Sequence, residues 1–222
     1  MGPRTRFWDD FVVAAVEEGI LQVVMVAAGM DTRAFRLPIR ANATVVELDE
    51  EQVLADKQTV LDREHVVPRC RRIVVPVNLA TKGWPEVLIS QGFDSASRAV
   101  FVAEGLSMYL DADENARLLD QLAAFAAPGS RLGIDMVSHD YLENPAVAPY
   151  FELARARGVY WRFGTNYPAS FLAEHGWKAA VTDIFVVGRR FGRWPPHGVS
   201  ETVSARAEGL GTAYFVTAER AM

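Results

Sequence analysis

The chain has 222 residues, enough to bury one large core, and is most simply organised as a single domain over residues 1–222. Half of its residues are hydrophobic, which weighs against disorder, and its net charge of −5 weighs against a general nucleic-acid binder, which needs clustered Lys and Arg to neutralise a phosphate backbone. Cys70 is the sole cysteine, so neither a disulfide framework nor a thiolate metal cluster is expected. The opening Met-Gly-Pro-Arg-Thr-Arg-Phe lacks the apolar run of a signal peptide or spanning helix, and a soluble, cytoplasmic protein without membrane attachment is expected.

In chain order, Phe7 to Glu18 places Phe7, Phe11, Ala14 and Ala15 on one side at helical spacing, and Gly19 stops that helix. From Val23 the chain reads V-V-M-V-A-A-G-M-D to Asp31, a β-branched run ending in small residues, as a buried parallel strand and the tight turn after it require. Thr44 to Asp49 predicts a second strand that stops on a carboxylate. Glu50 to Leu61 follows as a helix with Val53, Leu54, Val60 and Leu61 inward. Arg72 to Val77 is a third strand, and Trp84 to Ser90 a short helix opening near Pro85, a residue tolerated in a first turn. Ala99 to Ala103 is continuously apolar, the pattern of a strand buried on both faces, and it runs into Glu104. Asp111 to Ala127 opens with acids and carries Leu118, Leu119, Leu122, Phe125 and Ala126 before Pro128 and Gly129 end it. Arg131 to Val137 is the fifth strand. Strict alternation of strand and helix to this point implies parallel pairing with right-handed crossovers.

Beyond residue 138 the pattern changes. Tyr141 to Tyr167 is rich in aromatic residues, prolines and arginines with weak periodicity, which predicts a lid or substrate insertion over about residues 139–168. A helix from Ala169 to His175, a strand from Lys178 to Val187, a Gly and Pro loop through Arg193 to Gly198 and a last strand from Thr212 to Thr217 complete the chain. Two closing strands without a long crossover helix between them imply that the last is antiparallel. The expected fold class is α/β: a mostly parallel seven-stranded sheet with an antiparallel last strand and helices on both faces.

In such sheets ligands sit beyond the carboxyl ends of the strands where strand order reverses, and an acid ending the second strand, here Asp49, can accept hydrogen bonds from a ribose. The turn after the first strand discriminates between cofactors. A dinucleotide needs three glycines for close approach to its pyrophosphate, whereas Ala27, Ala28, Gly29, Met30 and Asp31 supply one glycine and an acid that would repel it. S-adenosylmethionine carries an ammonium, a carboxylate and a sulfonium but no phosphate. Asp31 is compatible with it, and Arg33 can answer its carboxylate.

Several motifs together resemble the S-adenosylmethionine-dependent leucine carboxyl methyltransferase family, in the branch abundant in mycobacteria and actinomycetes. They are R-T-R-F-W-D-D at Arg4 to Asp10, A-A-G-M-D-T-R-A-F-R-L-P at Ala27 to Pro38, V-V-E-L-D at Val45 to Asp49, V-N-L at Val77 to Leu79, A-E-G-L-S-M-Y-L at Ala103 to Leu110, and A-P-G-S-R-L at Ala127 to Leu132. The resemblance implies a Rossmann-like class I methyltransferase fold with S-adenosyl-L-methionine as cofactor. By it, Arg4 resembles the arginine that holds the methionine carboxylate, Ala27 and Gly29 the turn against which the methionine part lies, and Asp49 the ribose acid. Asn78 and Leu79 resemble the pair that holds the adenine, and Glu104 the acid facing the cofactor's amino group. Members of the family usually carry Asp where this chain has Asn78; an amide still offers an oxygen acceptor but loses the charge. They also usually carry a helical segment upstream of the R-T-R motif, where here Met1, Gly2 and Pro3 precede it, so a more open pocket or another closing element is expected.

Transfer from a sulfonium is an in-line displacement, so the protein's tasks are alignment and exclusion of water, with no metal. A carboxylate acceptor is already ionised and needs positioning groups, for which Arg155, Arg157, Arg162, Arg189 and Arg190 are candidates. A hydroxyl acceptor needs a base, and His139, just past the fifth strand, is the best placed histidine by sequence; His65, His175 and His197 read as structural or solvated. Tyr109, Tyr160 and Trp161, with Phe163 and Tyr167, are candidates to line an apolar small-molecule acceptor pocket. The sequence implies an O-methyltransferase of a small carboxylic acid or hydroxylated metabolite. A non-catalytic cofactor-binding or partner-binding homologue and a nicotinamide-dependent oxidoreductase are the alternatives, and the oligomeric state is left open.

Overall fold

The computed structural model describes residues 2–194 and 212–221. Pro3 occupies the first turn of α1 (Pro3–Glu17), where its missing N–H leaves no hydrogen bond unmade, and Trp8, Val12, Ala15 and Val16 form the buried face of that helix. The chain continues through β1 (Gln22–Val26), a single helical turn α2 (Arg33–Arg36), β2 (Thr44–Asp49), α3 (Glu51–Arg63), β3 (Arg71–Pro76), α4 (Trp84–Ser90) and β4 (Ala99–Ala103). A 3-10 turn at Ser107–Tyr109 leads into α5 (Ala112–Phe125), followed by β5 (Arg131–Val137), α6 (His139–Glu143), α7 (Ala148–Ala156), α8 (Pro168–Glu174), β6 (Trp177–Asp183), α9 (Ile184–Arg190) and β7 (Ala213–Arg220).

The seven strands form one sheet in the order β3-β2-β1-β4-β5-β7-β6. Pairs from β3 through to β5 are parallel, and β7 runs antiparallel between β5 and β6, as expected. Alternation along the central strands divides the core. Val24 and Val26 of β1 with Ala99 and Phe101 of β4 pack against α4, α5 and α8 through Trp84, Leu88, Leu119 and Leu172, while Val23, Met25, Val100 and Val102 pack on the other face against α1 and α9 through Trp8, Val12 and Val187. Strand order reverses between β1 and β4, so the cleft beyond their carboxyl ends is where this architecture places a ligand.

Two expectations change. The strand predicted over Lys178–Val187 ends at Asp183, whose carboxylate accepts a 2.6 Å hydrogen bond from Phe185 N–H and starts α9. Apolar periodicity alone does not separate a buried strand from a short buried helix, and the run from Ile184 to Val187 served both readings. The aromatic segment contains two short helices, α6 and α7, and their rings cluster on Trp161, which lies 5.4 Å from Phe151 and 6.4 Å from Tyr141 between ring centroids. Short elements of this kind are fixed by ring packing and caps, which periodicity does not register. The predicted loop at Arg193–Gly198 is described to Trp194; its remainder, with His197, lies outside the described residues. The opening of α5 follows its sequence closely: Asp111 accepts from Glu114 N–H at 2.8 Å and Glu114 accepts from Asp111 N–H at 2.8 Å, a capping box.

Candidate active site

The turn after β1 is built by its backbone. Ala27 has φ of 55° and Gly29 of 47°, and for alanine that left-handed conformation costs on the order of 1 kcal/mol. The strain is held in place from both sides: Ala28 N–H donates to Leu48 C=O at 2.9 Å, and Gly29 N–H donates to Asp49 Oδ2 at 2.6 Å. Asp49 Oδ1 accepts from Glu50 N–H at 2.8 Å, so the carboxylate ending β2 clamps the tip of β1 before it meets any ligand.

Above the carboxyl ends of β1 and β4 opens a cavity of about 510 Å³. Its floor and turn are Met25 to Asp31, its far side is Val102, Glu104, Gly105 and Tyr109, and Arg4, Thr5, Arg33 and Arg36 border it from α1 and α2. Arg33 is 1% exposed and sends each donor nitrogen to a different carboxylate: Nε to Asp9 at 2.9 Å, Nη2 to Glu104 at 2.7 Å, and Nη1 to Asp31. Arg36 also pairs with Asp9, through Nη2 at 2.7 Å. Arg4 donates from Nε to Glu104 at 2.8 Å and brings Nη1 within 3.5 Å of Asp135, a buried acid on β5 that accepts from Gly105 N–H at 2.5 Å.

Burial raises the Asp31 carboxyl against the opposing pull of Arg33, and burial pushes Asp135 up to about 6, against the Gly105 N–H and Arg4. Arg33 is raised, because the acids around it outweigh its own desolvation. Among the described residues, this ion-pair cluster joins four carboxylates, Asp9, Asp31, Glu104 and Asp135, to three guanidinium groups, a net excess of one negative charge within it when all are ionised.

The sequence profile of the leucine carboxyl methyltransferase family matches residues 1–123 of this chain. A protein of Parafrankia named for an inferred S-adenosyl-L-methionine-dependent methyltransferase activity is 36% identical over 99% of this chain and 67% of its own length. The chain belongs to the leucine carboxyl methyltransferase family. Two crystal structures share its fold. An inferred methyltransferase from Thermobifida fusca has TM-score 0.68 at 15% identity, covering 99% of this chain and 81% of its own, and the magnesium protoporphyrin IX methyltransferase of Synechocystis with bound S-adenosylhomocysteine has TM-score 0.58 at 14% identity, covering 98% and 84%.

Of the candidate site residues, Arg4, Ala27, Gly29, Asp31, Glu104 and Tyr109 border the same cavity, and Asp49 stands behind it through its bond to Gly29. Asn78 is exposed two residues beyond β3, its Oδ1 accepting from Ala80 N–H at 2.9 Å, and Leu79 borders a separate small hollow with Leu110 and Leu118. His139 is exposed as the first residue of α6, beside the capping Ser138, and is not among the residues bordering the cavity. Tyr160 is exposed, and Trp161 reaches Tyr109 at 6.4 Å between centroids.

The arginine candidates divide. Arg33, read from the sequence as a partner for a ligand carboxylate, gives one N–H from each of its nitrogens to a protein acid, Asp31, Asp9 and Glu104. Arg162 is committed to Tyr109 C=O at 2.8 Å and Glu114 at 2.5 Å, and Arg190 lies over the Phe191 ring at 5.6 Å. Arg155 and Arg157 are exposed on and after α7. His175 pairs with Asp120 at 2.7 Å, a structural contact. Sequence reasoning missed Asp9, Arg36 and Asp135. Asp135 carried a signal, a lone acid inside an otherwise apolar strand.

Proposed function

We propose that this chain is an S-adenosylmethionine-dependent O-methyltransferase acting on the carboxylate of a small molecule in a reducing, cytoplasmic setting. The observation that carries the reading is the cavity at the β1/β4 switch point, where the strained Ala27 turn, the Asp49 clamp and the paired Arg4 and Glu104 meet. The donor set fits the cofactor. Arg4, half exposed, has donors for its carboxylate; Glu104 and Asp31 offer oxygens to its ammonium; the free lone pairs of Asp49 suit a ribose; and the excess negative charge suits a cationic ligand. When bound, the cofactor supplies a methyl group made electrophilic by its sulfonium.

The chain's own residues do the rest by placement. Arg33 and Arg4 fix both oxygens of Glu104, so that carboxylate does not reorganise when a ligand arrives. Met25 and Val26 on the floor and Val102 on the far side give the cavity an apolar, buried surface. A carboxylate acceptor needs no proton removed, which agrees with a lining of arginines and acids in which no described residue is a histidine. Tyr109 and Trp161 form the aromatic side of the acceptor approach, under the segment over residues 139–168 acting as a lid.

The test is methyl transfer from labelled S-adenosylmethionine to a panel of carboxylic acids and phenols. A base-labile methyl ester is expected. A base-stable ether would assign a hydroxyl acceptor, and cofactor binding without turnover on any acid or phenol would support a non-catalytic homologue.

A further inference from the structure

Asp135 is buried on β5 directly beneath the cavity lining rather than on it. Its Oδ1 accepts from Gly105 N–H at 2.5 Å and its Oδ2 lies 3.5 Å from Arg4 Nη1, and both Gly105 and Arg4 border the cavity. The groups that face it are few among the described residues. Arg4 comes from α1, Glu104 from the turn after β4, Ser107 of the 3-10 turn is buried and uncharged, and β7 sets the apolar Phe215 opposite in register. Beyond Glu104 stands Arg33, already shared with Asp9 and Asp31.

Holding the Gly105 N–H does not require a charge. A neutral asparagine oxygen accepts the same hydrogen bond without the desolvation cost that an ionised carboxylate meets in this position. What the carboxylate adds is the fourth negative charge against three guanidinium groups. We propose that Asp135 is the charge-setting residue of the cofactor cavity: its ionised carboxylate biases the site toward the cationic methyl donor and against the neutral demethylated product. The inference rests on the methyltransferase reading above. S-adenosylmethionine and S-adenosylhomocysteine share the ammonium, carboxylate, ribose and adenine and differ by the methyl and its sulfonium charge, so their affinity ratio isolates the electrostatic contribution from everything else the site does. Because burial lifts the Asp135 carboxyl to about 6, that contribution is present at pH 7.5 and absent at pH 5.

The experiment is calorimetric titration of the whole chain with both compounds at pH 5 and pH 7.5, in the wild type and in Asp135→Asn. In the wild type, preference for the donor over the product is expected to fall about five- to tenfold on going from pH 7.5 to pH 5, the effect of one added charge that the neighbouring Arg4 partly offsets. Asp135→Asn is expected to show the low preference at both pH values, with product affinity changed less than twofold. A wild-type ratio that moves less than twofold between the two pH values overturns the proposal, and so does a variant whose ratio keeps the wild-type pH dependence. If Asp135→Asn does not fold, Asp135→Ser takes its place with the same expected outcome, because the raised Asp31 carboxyl also borders the cavity and the wild-type pair does not separate the two acids. Binding of neither compound at either pH sinks the methyltransferase reading and this inference with it, whereas binding with a flat ratio sinks the inference alone.

Discussion

Asp49 Oδ2 accepts a 2.6 Å hydrogen bond from the backbone N–H of Gly29, joining the tip of β2 to the turn that leaves β1. That bond makes the acid proposed to hold the ribose also the residue that fixes the shape of the neighbouring turn. Asp49→Ala is therefore expected to weaken S-adenosylhomocysteine binding by more than tenfold, through loss of both ribose contact and turn geometry, while Asp49→Asn, which keeps an oxygen for Gly29, loses less. Calorimetric titration of the two variants measures the difference.

Arg33 is the strongest structural commitment in the site. Removing its charge leaves Asp9, Asp31 and Glu104 facing one another without it, and Arg33→Met is expected to cost about 3–5 kcal/mol of stability in denaturant unfolding. Arg33→Lys restores one charge but cannot reach three carboxylates in a planar fan, and is expected to recover a minor part of the loss.

Gly133 marks where α1 comes closest to the sheet. A methyl group at that position would meet Trp8 Cζ3 at 2.5 Å and Phe11 Cε1 at 3.0 Å, two rigid rings with no flexible end to move aside. Gly133→Ala is expected to destabilise the fold by about 1–3 kcal/mol and to shift α1, lowering cofactor affinity through Arg4 and Asp9. Thermal unfolding and ligand titration check the two effects separately.

Asp135 gives stability a defined pH dependence. Its folded pKa, raised from 3.8 to about 6, means that between these values the folded state holds a proton the unfolded state has lost, so stability falls as pH rises through that window and stays level above it. Asp135→Asn lacks the penalty. The variant is expected to gain on the wild type as pH goes from 4 to 7, by up to about 3 kcal/mol, read from parallel urea unfolding curves at the two pH values.

Much of this architecture was legible in the residues. Trp84–Ser90, Ala99–Ala103 and Arg131–Val137 fall where their patterns place them, because a strand buried on both faces is continuously apolar and Pro85 marks a helix's first turn. The antiparallel β7 followed from chain connectivity rather than from any residue in it. The short elements did not show: α2, α6, α7 and α9 are set by local caps such as Ser138 and Asp183 and by ring packing around Trp161. In the site, Ala27, Gly29, Asp31 and Glu104 converge as their motifs imply, but the ion pairs of Arg33 were not legible. A guanidinium two residues from the single acid of the turn looks like a ligand contact alone until Asp9, twenty-four residues away, is seen to share it. Sequence patterns register which charges exist, and three-dimensional packing decides which of them are already spent on each other.

The most direct test of the account is calorimetric titration of the intact chain with S-adenosylhomocysteine and, separately, with NAD at pH 7.5. The account predicts a single saturable site for S-adenosylhomocysteine, weakened by Asp49→Ala, and no binding of NAD. Saturable NAD binding with no heat from S-adenosylhomocysteine would contradict it.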